Sequence, residues 1–90
     1  LRFLKVDVDD CLAKAQSQEL KKALSDLSED VRSSDPMSHP SLAAQEGELT
    51  VTLAEVSAKI DAGEEDEALT LVKKAQAILE SRNRRVLALK

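Results

Sequence analysis

The side chains of this sequence that could carry out chemistry are few and widely spaced. His39 is the only histidine, and Cys11 is the only cysteine. A phosphoryl-accepting or metal-binding histidine needs a shell of supporting side chains, but His39 lies between Ser38 and Pro40 without a second histidine in the chain. We therefore interpret His39 as a solvated loop residue.

Cys11 lacks the surroundings that a reactive thiol needs. A thiolate forms readily beside positive charge or at a helix N-terminus, whereas Asp7, Asp9 and Asp10 precede Cys11 in the sequence. These carboxylates are expected to raise the pKa of the thiol. Cys11 also falls on the apolar side of a predicted helix, so we interpret it as a small core residue. A single cysteine excludes an intrachain disulfide.

Two charged clusters could bind ions or acidic groups. The acidic run at 61–67 lacks the alternating ligand spacing of an EF-hand loop, and we interpret it as the favourable negative charge of a helix start. Arg82, Arg84 and Arg85 form a basic cluster that could touch phosphate or an acidic partner. We favour a solvated helix end, in which Arg82 buries its stem and keeps its charged head in water.

No paired-carboxylate, Ser/His/Asp, Cys/His or glycine-rich phosphate motif stands out, so we predict that the protein is not an enzyme and holds no cofactor or metal. The formal net charge of −4 argues against nucleic-acid binding, which needs a basic surface. It gives no support for binding to anionic membranes, and no apolar run reaches the length of a membrane span. The lone cysteine weakly favours a reducing compartment, and we expect a cytoplasmic protein.

Composition predicts an all-α fold. The chain of 90 residues is long enough for one small domain, and it contains a single aromatic residue, Phe3. Ala, Leu and Val, which supply most of the apolar side chains, suit closely packed helices better than sheets. The chain begins at Leu1 and ends at Lys90 within a helical pattern, so we expect it to be a segment of a longer protein.

Apolar periodicity predicts an antiparallel three-helix bundle with long helices at about 4–33, 41–62 and 64–89. The clearest stripe steps by fours and threes along the last helix, through Ala68, Val72, Ala75, Leu79, Arg82, Val86 and Leu89. A linker with two prolines is predicted at 33–40, and Gly63 is placed to end the second helix.

Two points remain open at this level. Residues 1–10 have a partly alternating pattern, and we favour helix over strand because one isolated strand would have no partner. The apolar stripes before and after the polar run at 16–19 are offset, which indicates either a stripe that wraps around one helix or a local break.

Residues 71–80, LVKKAQAILE, resemble the final helix of BAG domains, which are three-helix modules that bind the Hsp70 ATPase domain and promote nucleotide exchange. The resemblance implies that Gln76 and Asp61 would contact the chaperone. Ala68 stands where that family has an arginine.

The last helix carries more apolar residues than its main stripe uses, among them Leu69, Leu71 and Ile78. Much of this excess is expected to be core, and the rest could form a patch for a partner helix or for self-association. We therefore predict a non-enzymatic protein-interaction or scaffolding module. Binding to the Hsp70 ATPase domain is the alternative.

Overall fold

The computed structural model describes residues 2–37 and 39–90, with side chains described from Leu4 onward. This part of the chain is helical and has no strand, so the predicted all-α class is confirmed. The interpretation of the opening residues as helix is also confirmed from Arg2 onward. The four helices are α1 (Arg2–Lys14), α2 (Gln18–Ser33), α3 (Ala43–Asp61) and α4 (Glu65–Leu89), with a 3-10 turn (Pro40–Leu42) before α3.

The prediction of one helix over 4–33 is wrong, because residues 15–17 separate α1 from α2. Ser17 has an extended backbone with φ −65° and ψ 134°, and its Oγ accepts the N–H of Leu20 at 3.4 Å. This is an N-cap, which satisfies one of the free donors at a helix start. The offset between the two apolar stripes therefore marks a break, and the predicted three-helix bundle has four helices instead.

A carboxylate from α4 completes this break. The two oxygens of Glu65 accept the backbone N–H groups of Gln16 at 3.0 Å and Ser17 at 2.7 Å. Both groups lie between the end of α1 and the first helical residue of α2, where the break interrupts the helical backbone bonds, so the carboxylate supplies their acceptors. Glu65 thus stabilises a turn that lies almost 50 residues earlier in the chain.

The hairpin of α3 and α4 matches the sequence prediction to within about two residues at each end. Gly63 adopts a left-handed backbone with φ 76°. Its N–H donates to the carbonyl of Ile60, and the N–H of Glu64 donates to the carbonyl of Lys59. This pair of bonds is a Schellman motif, which satisfies the last carbonyls of α3 and turns the chain sharply into α4.

The helix pairs define a four-cornered arrangement. Contacts between Lys5 and Ser28 make α1 antiparallel to α2, and a contact from Cys11 to the Leu53 carbonyl packs α1 against α3. Gln76 reaches the carbonyl of Ala23 where α2 lies beside α4. Because α1 contacts α2 and α3 while α4 contacts the same two helices, α2 and α3 occupy opposite corners.

The core fills the space between the four helices. Each helix contributes an apolar stripe to it. The predicted seam of α4 is buried from Ala68 to Val86, whereas Leu89, beyond the last packed turn, is exposed. The most deeply buried aliphatic side chains include Val8, Leu20, Leu24, Leu27, Leu42, Leu49, Val56, Val72 and Leu79.

Candidate functional site

The connection from α2 to α3 crosses one end of the bundle diagonally, and Arg82 holds it there. The Arg82 side chain has no exposed surface. Its Nη1 donates to the carbonyl of Asp35 at 2.6 Å, and its Nη2 donates to the carbonyl of Met37 at 2.9 Å. Nε donates to Glu46 Oε2 at 3.2 Å, so charge and hydrogen bonds compensate the burial of the guanidinium.

This arrangement corrects the interpretation of Arg82 as a residue with its head in water. Arg84 and Arg85, in contrast, are exposed as expected of a helix end. The seam position of Arg82 was visible in the sequence, but the carbonyl groups that surround it come from an irregular segment. No periodic pattern reveals such acceptors.

Two further bonds fasten the same connection to α4. Asn83 Nδ2 donates to Ser34 Oγ at 2.9 Å, and Lys90 forms an ion pair with Asp35. The bond from Lys90, followed by the backbone N–H of Met37, lowers the pKa of Asp35. The crossing end of the bundle is therefore fixed by the last three turns of α4.

The three apolar residues of α4 that were predicted to bind a partner are each half-buried against the core. They are Leu69, Leu71 and Ile78. At 100° per residue, Leu69 and Leu71 project about 200° apart around α4, so they flank the buried seam on opposite sides. Leu69 lies on the flank of α4 that packs against α2, and Leu71 and Ile78 lie on the flank toward α3. The three residues do not form one continuous patch, and their contact with a partner stays a prediction.

Asp61 and Gln76 also have partners within the chain. Lys14 Nζ donates to Asp61 Oδ1 at 2.8 Å, and Gln76 Nε2 approaches the Ala23 carbonyl at 3.5 Å. Asp61 therefore faces α1, and Gln76 faces α2. Gln76 is half-buried there, whereas 65% of the Asp61 side chain remains exposed.

His39 is exposed, and its Nδ1 accepts the N–H of Ser41 at 3.1 Å. This bond makes His39 the cap of the 3-10 turn before α3.

Cys11 is only 2% exposed. Burial raises the pKa of its thiol, the charge of Lys14 opposes this effect, and the carboxylates of Asp7 and Asp10 add to it. The interpretation of Cys11 as a core residue is confirmed.

The acidic run contacts basic and backbone groups of the same end of the bundle. Lys59 pairs with Glu64 at 3.1 Å and with Glu67 at 2.9 Å. The bonds from Glu67 and Glu64 raise the pKa of Lys59, and the bond from Lys59 lowers the pKa of Glu67. The run begins α4 as predicted, and it also fastens α3 to α4.

An open apolar surface lies beyond the end of α2. A groove of about 390 Å³ lies there, between α2 and the last turns of α4. Leu87 projects beside it and is 72% exposed, while Val86 below is buried. One flank of α4 is covered by α2 as far as Ser33, where α2 ends. This flank carries Leu69, Gln76, Asn83 and Leu87. We call this region the open groove; it is lined by Ser33, Ser34, Asp35, Glu80, Asn83, Arg84, Val86, Leu87 and Lys90.

The rim of the open groove carries charges of both signs. Arg84 lines it, whereas Arg85 projects about 200° from Leu87 around α4 and lies on the opposite flank, beside Leu89. Among the described residues, neither arginine forms an ion pair, whereas Lys90 is neutralised by Asp35. Glu80 supplies one negative charge at the same rim. Leu87 was not among the residues predicted to bind a partner. The end of α2 at residue 33 was predicted, but which part of α4 lies beyond that end depends on how the two helices align.

Residues 2–37 and 39–90 hold no group of three or more His, Cys, Asp or Glu side chains placed to bind a metal ion. Over the same ranges, no helix has both the length and the apolar character needed to cross a bilayer. Comparison of the chain with models of protein families, with curated protein sequences and with solved structures finds no match.

Proposed function

We propose that this protein is a non-enzymatic interaction module that binds a helix of another protein in the open groove. The observation that carries the proposal is the exposure of Leu87 on a flank of α4 that already packs against a helix. Upstream, this flank contacts α2 through residues such as Gln76. Beyond Ser33 the same flank continues without a covering helix, so its spacing and shape already suit a helical occupant.

The charges around the groove favour an amphipathic occupant with a charged edge. Arg84 carries one positive charge and Glu80 one negative charge at the rim, while Asp35 and Lys90 pair with each other. An amphipathic helix would place an apolar side chain against Leu87 and side chains of opposite sign beside Arg84 and Glu80. Such rim charges contribute mainly to orientation and rate of association, while the buried apolar contact supplies most of the affinity.

Site-specific photo-crosslinking tests this proposal. A photoreactive residue at position 87 should capture a partner protein that the same residue at position 51 does not. Val51 is a matched control because it is 60% exposed on α3, away from the groove. Capture of the same proteins at both positions, or of none at position 87, would contradict the proposal.

The resemblance to BAG domains supports an alternative, which is binding to the Hsp70 ATPase domain with acceleration of nucleotide exchange. Asp61 is paired with Lys14 but 65% exposed, while Gln76 is half-buried beside α2. Nucleotide release from Hsp70 decides between the two. Acceleration that is lost in Gln76→Ala would support the alternative, and the absence of any acceleration at high concentration would exclude it.

We also propose that the protein acts in the cytoplasm. A buried, unpaired Cys11 is compatible with the cytoplasm that the sequence favours.

A further inference from the structure

The break between α1 and α2 depends on contacts from outside its own sequence. Residues 15–17 are Ala, Gln and Ser, with no glycine or proline to end a helix. Ala and Gln are favourable helix formers, and Ser is tolerated. The break forms where the Glu65 carboxylate accepts the N–H groups of Gln16 and Ser17. Apart from these two bonds, the Ser17 cap is the contact that favours the break, and the composition of the segment allows a continuous helix.

In one continuous helix, the apolar stripes of α1 and α2 would point in nearly opposite directions. At 100° per residue, the buried stripe of α1 and that of α2 would lie about 160° apart on one straight helix. The α1 stripe is Leu4, Val8, Cys11 and Ala15, and the α2 stripe is Leu20, Leu24, Leu27 and Val31. A straight helix of this kind buries one stripe in its own bundle and presents the other in nearly the opposite direction.

We propose that the chain exchanges α1 with a second copy of itself, forming a dimer in which α1 and α2 join into one long helix. This inference is independent of the open groove, which lies at the other end of the bundle. Because α1 is antiparallel to α2, straightening residues 15–17 directs α1 away from its own bundle. A second copy that faces it end to end can receive this α1 beside its own α3, in the orientation that the closed chain shows.

The exchange preserves almost every contact of α1. The bonds that join Lys5, Asp9 and Ser28, and those from Lys14 to α3, re-form between the two chains. The bonds from Glu65 to the backbone of residues 16 and 17 are lost, and new helical backbone bonds replace them. Glu65 therefore determines the balance between the closed monomer and the exchanged dimer, as expected for a short hinge in domain swapping.

Negative charge at the two facing ends should also affect how much dimer forms. The ends that meet in the dimer are those where α3 turns into α4, and each carries Asp61, Glu64, Asp66 and Glu67. Lys59 and Lys14 neutralise only part of this charge. Salt screens the remaining repulsion, so the proportion of dimer should rise with ionic strength.

Sedimentation equilibrium of the whole chain tests the proposal with matched variants. Glu65→Ala removes the acceptor of both N–H groups, and Asp66→Ala removes the same charge from the same helical turn without touching residues 15–17. Charged hydrogen bonds contribute about 1.5–3 kcal/mol, so Glu65→Ala should lower the dimer dissociation constant at least about tenfold relative to Asp66→Ala. Wild-type protein should also form more dimer as salt increases.

The substitution Gln18→Pro should favour the closed monomer over the exchanged dimer. Position 18 is the first residue of α2, where proline is favoured, and the preceding Ser17 already has the extended backbone that proline requires. In a joined helix the same proline would be internal, where it removes a backbone hydrogen bond and clashes with the preceding turn. Gln18→Pro should therefore remain monomeric, both alone and combined with Glu65→Ala.

Isotope-filtered NMR on mixed labelled and unlabelled chains identifies the exchanged element. The dimer should show an intermolecular contact between Cys11 and Leu53, which touch within the closed chain. The proposal is overturned by folded Glu65→Ala that dimerises no more than Asp66→Ala, by dimers that persist with Gln18→Pro, or by a dimer without this contact. If Glu65→Ala does not fold, the salt series on wild-type protein and Gln18→Pro gives the same decision.

Discussion

Arg82 Nη2 and Glu46 Oε2 form an ion pair at 3.1 Å between the last turns of α4 and the first turn of α3. The guanidinium is fully buried, while the glutamate side chain is 31% exposed. The same guanidinium binds two carbonyl groups of the crossing connection. This pair therefore does more than link two helices, because it fixes the path by which the chain passes from α2 to α3.

Removing this guanidinium should be the most destabilising single change at the crossing end. Arg82→Ala leaves Glu46 and the carbonyls of Asp35 and Met37 without their donor, and we expect a loss of about 3 kcal/mol in the free energy of unfolding. Urea denaturation measures the change. Arg85→Ala, which removes an exposed arginine of the same helix, should change the free energy by less than about 0.5 kcal/mol. Equal effects of the two variants would show that the guanidinium network is not formed.

The two glycines should respond in opposite directions to alanine. Gly63 has φ 76°, a conformation that costs an alanine about 1–2 kcal/mol, so Gly63→Ala should lower stability. Gly47 lies within α3, and a Cβ added there meets nothing within 4 Å. Gly47→Ala should raise stability by up to about 1 kcal/mol through helix propensity. Thermal denaturation of both variants checks this pair, and a shift of the same sign in both would contradict it.

Acid should weaken the contact between α1 and α2. The bond from Lys5, followed by that from Ser28, lowers the pKa of Asp9 below its reference value of 3.8. Because the folded pKa is the lower one, the contribution of Asp9 is complete above 3.8 and disappears as the pH falls through the folded value. Asp9→Asn should therefore be less stable than wild type at pH 7, and the difference should shrink as the pH falls below 3.8. A stability difference that does not change with pH would contradict this assignment.

The Cys11 thiol should react slowly in the folded protein. Its side chain is buried against α3, and burial raises the pKa of its thiol, so both access and thiolate formation are suppressed. Reaction with a disulfide reagent at pH 8 should be at least about a hundredfold slower than in denaturant. Since Cys11 belongs to α1, the residual rate reports the undocking of that helix. Reaction in the folded state at the denatured rate would mean that α1 is not packed as described.

Much of the fold follows from local sequence signals. The seam of α4 is buried at the predicted positions from Ala68 to Val86, although not at Leu89, and Gly63 ends α3 as its place in the sequence suggests. These features depend on residues three, four or a few positions apart, which is the range over which periodicity and capping patterns act.

The features that the sequence did not reveal depend on distant partners. The break after α1 is completed by Glu65, and the burial of Arg82 depends on carbonyls more than 40 residues earlier. The open groove follows from where α2 ends, so the exposure of Leu87 could not be inferred from α4 alone. Neither a backbone acceptor nor a helix end on another element leaves a periodic signal.

The affinity of the partner captured at position 87 tests the interaction proposal most directly. It should be measured by titration with the wild-type protein, Leu87→Asp and Val51→Asp, since both substitutions place a carboxylate at an exposed apolar position. We expect Leu87→Asp to weaken binding at least about tenfold, as loss of a central apolar contact does, and Val51→Asp to leave it within about twofold. Equal affinity of all three proteins would contradict the assignment of the open groove as the binding surface.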